Sequence, residues 1–482
     1  MQARRGNLVS PTATVVLVDG VRVVVPDSLH LITPYVLQEQ KDWFEDEIKF
    51  LRRVLQPGEN VIDIGANYGV YALSMARTVG PRGRVWAFEP ASATAKLLSE
   101  GISVNGYSQV ILERSALSSS CGTAQLSLND HSELNALVRG KPSTNASETV
   151  PVVTLDECLH RHDWRDIAFV KVDAEGEEAD ILKGGARFFS ELSPLVQYEV
   201  KAGKDLHMDL AQDFAALGYE SYRLVPGLDL LMPFDGESTP DGYLLNLFCC
   251  KRDRAERLAR QGFLITSVTR FPAKETKSSR HGSGRARNGD AYDWRQTIAK
   301  LPYGVRLADV WEHTMAEGNS AEVDEALSFY ALSQDSSRSS AERFSALEAS
   351  LGLLNTLCER EASHLRLASL ARVARDYGAR SLAVNALKRL SDVISRNRRV
   401  DVSEPFLPPG ERFDSLAPGE ALGNWVLASV LEEYERLGSF SSIYTGISAR
   451  QRLETIRALG FGSEEMERRL GLLYRRFALP AS

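Results

Sequence analysis

Short, mainly apolar runs, Val61 to Ile64, Arg84 to Phe88, Val110 to Glu113 and Phe169 to Val172, alternate with stretches of helical period such as Val70 to Arg77 and Ser92 to Val104. Runs of the first kind suit strands buried on both faces, so the pattern predicts an α/β fold with a parallel, doubly wound sheet. Leu195 to Val200, Glu220 to Leu224 and Tyr243 to Cys250 add strand candidates, for about seven in all, the last two reading as an antiparallel pair at the sheet edge. Upstream, the β-branched runs Val15 to Val18 and Val21 to Val25 flank Asp19-Gly20 and predict a hairpin. From Trp43 the period is helical, with Phe44, Ile48, Leu51 and Leu55 on one stripe, so Trp43 and Phe44 read as core. The acids Asp42, Glu45, Asp46 and Glu47 crowd the first turn of that helix, where the helix dipole favours them.

Beyond Ile265 the pattern changes. Ala273 to Asp290 has no bulky apolar residue and cannot offset its ordering entropy, which predicts a flexible linker. From Trp294 onward every periodic stretch is helical: Ala321 to Leu332, Ala341 to Cys358, Leu365 to Tyr377, Arg380 to Ile394 and Glu420 to Leu437. Ala374 to Gly378 followed by Ala383, Leu387 and Leu390 looks like one tetratricopeptide-type helix hairpin, without a second copy at a matching period. The expected organisation is a hairpin extension over 1–41, an α/β domain over 42–266, a linker over 267–293 and an all-α domain over 294–482.

Composition narrows this picture. The chain has 482 residues and a net charge of -7, so no overall field draws it to nucleic acid or anionic lipid. Its 5 cysteines lack ligand spacing, which suggests neither a zinc site nor a disulfide framework and favours a reducing, cytoplasmic setting. No stretch is apolar for long enough to span a bilayer.

The chemistry gathers at Val61-Ile-Asp-Ile-Gly-Ala-Asn-Tyr-Gly69. A strand ends in Asp63, Gly65 and Gly69 shape a turn, and Glu89 closes the next strand 26 positions later. A carboxylate belongs there in a nucleotide-binding βαβ unit, because its two acceptors match vicinal ribose hydroxyls. Asn67 stands where a dinucleotide site needs its second glycine, which disfavours a pyrophosphate and with it a nicotinamide-dependent oxidoreductase. A nucleoside carrying an amino acid fits better, since Asp63 and the turn carbonyls can receive an ammonium. S-adenosylmethionine has that shape.

The ordered blocks Trp43 to Glu47, Val61 to Gly69, Ala87-Phe-Glu-Pro90, Ala116-Leu-Ser118, Thr154-Leu-Asp156 and Lys171 to Glu178 with Leu182-Lys-Gly-Gly185 resemble the FkbM-type methyltransferases. The resemblance covers roughly Asp42 to Val200. It implies a Rossmann-like, seven-stranded methyltransferase sheet and methyl transfer from S-adenosylmethionine to an oxygen of a sugar or secondary metabolite. By position, it makes Asp63, Gly65, Asn67 and Gly69 the methionine-end loop and Glu89 the ribose ligand. Where many members carry a carboxylate after Ala-Leu-Ser, this chain continues Ser118-Ser119-Ser120, which leaves Ser115 or backbone groups to meet the adenine.

An aliphatic hydroxyl must lose its proton during transfer. Asp173, at a strand end beside the cofactor corner, is the first candidate base and Glu175 the second, with Glu199 and His131 behind them. Glu177 reads as a carboxylate of a helix's first turn. A divalent cation could serve the same proton chemistry, but nothing in the sequence indicates a metal ligand set. Asn129 to Glu148 reads as a loop over the site. The expected partners are a small-molecule or glycan acceptor and, through the C-terminal helices, a protein. A scaffold with an idle Rossmann-like half is the rival reading.

Overall fold

The computed structural model describes residues 11–129, 131–138, 146–202, 205–206, 208–236, 239–266, 293–316, 321–362, 364–397 and 399–479. The expected linker lies outside these residues apart from Asp293. The chain opens with the hairpin β1 (Thr12–Val16) and β2 (Arg22–Pro26), then α1 (Ile32–Gln40) and α2 (Asp46–Val54). Alternation follows as β3 (Asn60–Ile64), α3 (Val70–Val79), β4 (Arg84–Phe88), α4 (Ser92–Asn105) and β5 (Val110–Glu113). An accessory group comprises β6 (Ala116–Leu117), β7 (Gly122–Ser127), β8 (Ala136–Leu137) and β9 (Ser147–Val153). Then come α5 (Leu155–Arg161), β10 (Phe169–Val172), α6 (Glu178–Gly184), α7 (Ala186–Glu191), β11 (Leu195–Glu199), and the short pair β12 (Lys201–Ala202) and β13 (Asp205–Leu206). The α/β part ends with α8 (Asp209–Ala216), β14 (Glu220–Val225), β15 (Leu230–Pro233), β16 (Asn246–Cys250) and α9 (Arg252–Arg260).

The main sheet runs β15-β14-β16-β11-β10-β3-β4-β5, parallel from β11 to β5 and antiparallel across β16, β14 and β15. It has 8 strands instead of the expected seven. The addition is β15, inside a segment whose Pro226, Gly227 and Pro233 read as a loop. Its Leu230 and Leu231 are fully covered, and the Leu231 N–H donates to the Phe263 carbonyl while its own carbonyl accepts from Ile265, so this edge is occupied by the segment after α9. Each face of the sheet carries its own core. Val61, Val85 and Phe169 pack under α2, α3 and α9, while Ile62, Val170 and Val196 pack under α5 to α8.

The helical region comprises α10 (Pro302–Ala316), α11 (Ala321–Ser333), α12 (Ser340–Arg360), α13 (His364–Tyr377), α14 (Arg380–Asn397), α15 (Leu422–Leu437), α16 (Ser442–Thr445), α17 (Arg450–Leu459) and α18 (Glu464–Arg476). Its main core takes in Val225, Leu228 and Leu230 from the α/β part. Helix α1 docks against α16 and α18: Tyr35 Oη lies 2.9 Å from Ser442 Oγ, and Arg469 meets Glu39 at 3.4 Å. No helix among the described residues is long and apolar enough to cross a membrane.

Candidate functional site

The C-terminal ends of β3, β4, β5 and β10 open into a cleft of about 1030 Å3, where parallel sheets characteristically bind ligands. Side chains alternate along a strand, so Asp63 of β3 stands on the same face as its register partner Lys171 of β10. The chain then turns through left-handed backbone at Gly65 (φ 77°), Asn67 (φ 50°) and Gly69 (φ 86°). A Cβ on Gly65 would lie 1.7 Å from the Asp173 carbonyl oxygen, so the contact of two strand ends demands glycine there as firmly as φ does. On Gly69 it would lie 2.3 Å from Leu98 Cδ1, where α3 starts against α4. The Asn67 N–H donates to Glu89 at 2.9 Å, and the Ala91 N–H donates to the other Glu89 oxygen at 2.9 Å. Glu89 thus fixes the turn and still lines the cleft.

The carboxylates here sit under strain of charge. Asp63 is wholly buried and neither of its oxygens has a hydrogen bond. Burial raises it to about 6, with Lys171 opposing the shift and Asp173 adding to it. Glu89 rises to about 7, chiefly through burial, against the two N–H donors. The Ser115 hydroxyl also lines the cleft, buried and without a partner. Unsatisfied buried groups cost free energy. An ammonium at Asp63 and a polar ring atom at Ser115 would satisfy both, so these residues fit S-adenosylmethionine. Ser118 is committed elsewhere, donating to Glu177 at 2.8 Å.

Asp173, Glu175 and Glu199 converge, with one carboxylate oxygen of each inside a 4.8 Å group. Lys171 supplies a cation at this cluster: its ammonium is 2.5 Å from Asp173 and 4.9 Å from the centroid of the Tyr71 ring. Burial opposes the Lys171 charge, but Asp173, Asp63 and Glu45 together hold the ammonium above its ordinary range. Desolvation, then Asp173 and Glu178, raise Glu175 to about 8, and desolvation with Asp173 and Glu175 raises Glu199 to about 9. Glu45, which accepts from the Tyr71 hydroxyl, joins the same wall.

All eight residues singled out for cofactor and catalysis except Gly69 line this one cleft. Lys171 and Glu45 were missed as site residues. A lysine inside the apolar run Phe169 to Val172 is the signal that could have found the first. Glu177 stands at the N-cap of α6, beside the first turn, and is also buried and lines the cleft. Trp43 and Phe44 are half-buried and precede α2, because the helix starts only at Asp46; Trp43 lines the cleft. The segment read as a loop is structured over its described part. There β8 pairs with β7, and Ser132, Glu133, Asn135 and Leu137 wall the cleft while His131 does not. Ser132 donates to Asn67 Oδ1 at 3.0 Å.

The methyltransferase FkbM domain pattern matches residues 63–221. The match begins at Asp63, later than the Trp43 to Glu47 block, and runs on past Val200 into β14. The chain is 30% identical over 161 residues to the hexuronic acid methyltransferase AglP of Haloferax volcanii, covering 33% of this chain and 64% of that protein. It therefore spans less than two thirds of that relative's length. Among solved structures, a methyltransferase FkbM from Methylobacillus flagellatus is 18% identical, covering 42% of this chain and 50% of its own, with a TM-score of 0.27. A SAM-dependent O-methyltransferase from Thermotoga maritima is 16% identical, covering 47% and 72%, with a TM-score of 0.25.

Proposed function

We propose that the chain is an S-adenosylmethionine-dependent O-methyltransferase acting on a hydroxyl of a sugar or glycan. The observation that carries this reading is the wholly buried, unpartnered Asp63 carboxylate in the same cleft as Glu89 and Ser115. The printed activity of the curated relative, on a hexuronic acid, supports a saccharide acceptor. When bound, the cofactor supplies an activated methyl on a sulfonium. Asp63 holds its ammonium end, Glu89 accepts from the ribose hydroxyls with lone pairs left over from its two N–H donors, and Ser115 meets the adenine. The backbone at Gly65, Asn67 and Gly69 shapes the turn beneath.

Transfer requires the acceptor oxygen in line with the methyl and relieved of its proton. Asp173 and Glu175 lie at the cleft wall for this task. Lys171 holds Asp173 in place at 2.5 Å, and Glu175, raised to about 8, is a stronger base than an ordinary carboxylate once ionised. The Ser132 to Leu137 wall restricts water at the reacting oxygen.

The test is calorimetric titration of the full chain with S-adenosylhomocysteine beside an Asp63→Ala, Glu89→Ala double variant. Binding by the wild type and loss of at least about a hundredfold in the double variant is expected. No heat from the wild type refutes the proposal.

A further inference from the structure

The walls of the cofactor cleft come from two parts of the chain. Asp63, Glu89 and Ser115, the residues that fit the cofactor, lie within the matched residues 63–221, whereas Thr33, Trp43 and Glu45 line the same cleft from ahead of them. Glu45 ties this second wall to the carboxylates that the proposed transfer uses. It accepts from the Tyr71 hydroxyl, the Lys171 ammonium lies 4.9 Å from the centroid of the Tyr71 ring, and the same ammonium meets Asp173 at 2.5 Å.

Trp43 gives the wall an aromatic surface. It is half-buried and lines the cleft. Its ring packs on Phe44 at 4.5 Å between centroids, and Phe44 packs on Phe440 at 4.9 Å. The Arg380 guanidinium covers the far end of this row, 4.2 Å from the Phe440 centroid, and Trp43 is the end that meets the cleft. A rigid apolar ring with an electron-rich face suits the C–H face of a pyranose. Glu133 supplies the polar complement. Its Oε1 accepts from both the N–H (2.9 Å) and the hydroxyl of Thr33, which fixes the side chain, while Oε2 is buried in the cleft wall with no hydrogen bond among the described residues. A carboxylate oxygen left buried without a donor costs free energy that a ligand hydroxyl would recover. Behind burial, Asp173 and Glu178, the Glu133 charge also contributes to raising Glu175, so a hydroxyl bound at Glu133 stands in the neighbourhood of the candidate bases. Thr33 belongs to α1, which the helical region holds through Ser442 and Arg469.

We infer that the acceptor sugar binds on the Trp43 side of the cofactor cleft, one pyranose face on the Trp43 ring and one hydroxyl donating to Glu133 Oε2, with a neighbouring hydroxyl facing Asp173 and Glu175. The inference deepens the proposed methyl transfer and rests on it. It makes the segment ahead of Asp63 the part that selects the acceptor, and gives the helical region the task of holding α1, and with it Thr33, against Glu133.

The test uses the full chain, saturated with S-adenosylhomocysteine and carrying 5-fluorotryptophan at its 6 tryptophans. The probes are the methyl glycosides of glucose, galactose and mannose, with binding read by saturation-transfer NMR and location by fluorine NMR. At least one glycoside is expected to bind and to shift the resonance that is missing from Trp43→Phe. Trp43→Ala is expected to weaken its binding by about tenfold or more and Trp43→Phe, which keeps a ring, by about threefold or less. Glu133→Gln keeps an oxygen for Thr33 and turns a donor toward the cleft, and is expected to weaken binding by about fivefold or more. S-adenosylhomocysteine affinity held within about twofold in each variant is the check that the chain is folded. Binding that leaves the Trp43 resonance unmoved, or that survives Trp43→Ala, overturns the location; binding unchanged in Glu133→Gln overturns the hydroxyl contact. Absence of binding by all the probes, in a chain that still binds S-adenosylhomocysteine, overturns the subsite and leaves the cofactor reading standing. Failure to bind S-adenosylhomocysteine defeats that reading instead.

Discussion

Two groups of buried charge in this molecule are equally hidden from water and differently completed. Under α18 the Arg469 guanidinium, 1% exposed, lies within 3.4 Å of Glu39 and Glu435 and 3.0 Å of Glu465. In the cofactor cleft Asp63, 0% exposed, has no hydrogen bond to either oxygen. The first group closes its electrostatics within the protein and fastens α1 to the helical region. The second has Lys171 as a neighbouring cation but leaves both Asp63 oxygens without a hydrogen bond, which a fold tolerates only where something else completes them. Burial alone thus does not mark a site; burial without a partner does.

The largest expected effect comes from breaking the closed group. Arg469→Met leaves Glu39 buried without its cation and Glu435 with Arg452 alone, and is expected to lower stability by about 3–5 kcal/mol, read as the denaturant midpoint of the full chain. A loss under about 1 kcal/mol would mean that the pairing does not hold the two parts together. The open group should respond in the opposite way. Asp63→Asn removes a charge that burial disfavours, so the unliganded chain keeps or gains stability, while S-adenosylhomocysteine affinity falls by about 2–3 kcal/mol. Thermal melts with and without ligand separate the two. If Asp63→Asn destabilises the free chain as Arg469→Met does, the contrast fails.

The smallest effect is the pH dependence, and its sign follows from the raised carboxyl. Asp63 titrates near 6 in the folded chain against 3.8 ordinarily, so its contribution to stability is present below about 4 and is lost as pH rises through 6. Ligand binding needs the ionised form and runs the other way. Affinity for S-adenosylhomocysteine should weaken by about 1.4 kcal/mol for each unit below pH 6 on account of Asp63, while Glu89, raised to about 7, extends the dependence upward so that the profile flattens only above about 7. Calorimetry between pH 5 and 8 reads this directly; a flat profile removes Asp63 from the ammonium contact.

The same contrast explains what the sequence disclosed. Asp63, Gly65, Asn67 and Glu89 were legible because a strand, a turn and the next strand end bring them together within one βαβ unit, where local spacing determines geometry. Asp173 and Glu175 followed from the alternation of elements, and Ser115 from the resemblance, as the residue left where many members carry a carboxylate. Lys171 and Glu45 escaped because their role arises from neighbours supplied by other elements: Asp63 and Asp173 for the lysine, Tyr71 for the glutamate. Strand β15 escaped because its proline and glycine neighbours read as a loop, and its edge is made tolerable by the backbone of Phe263 to Ile265, which bonds to Leu231.

The fastening of α1 has a temporal side. The Arg468 guanidinium donates to the Glu39 carbonyl at 2.8 Å across a sequence separation of 429. At translation speeds of about 5–20 residues per second, about 20–90 s pass between synthesis of the two residues. Throughout that interval α1 and the neighbouring Tyr35 surface have no docking partner, although the sheet they precede can already have formed. The contact therefore joins the earliest described helix to the latest, and α1 cannot complete its docking until α18 has been made.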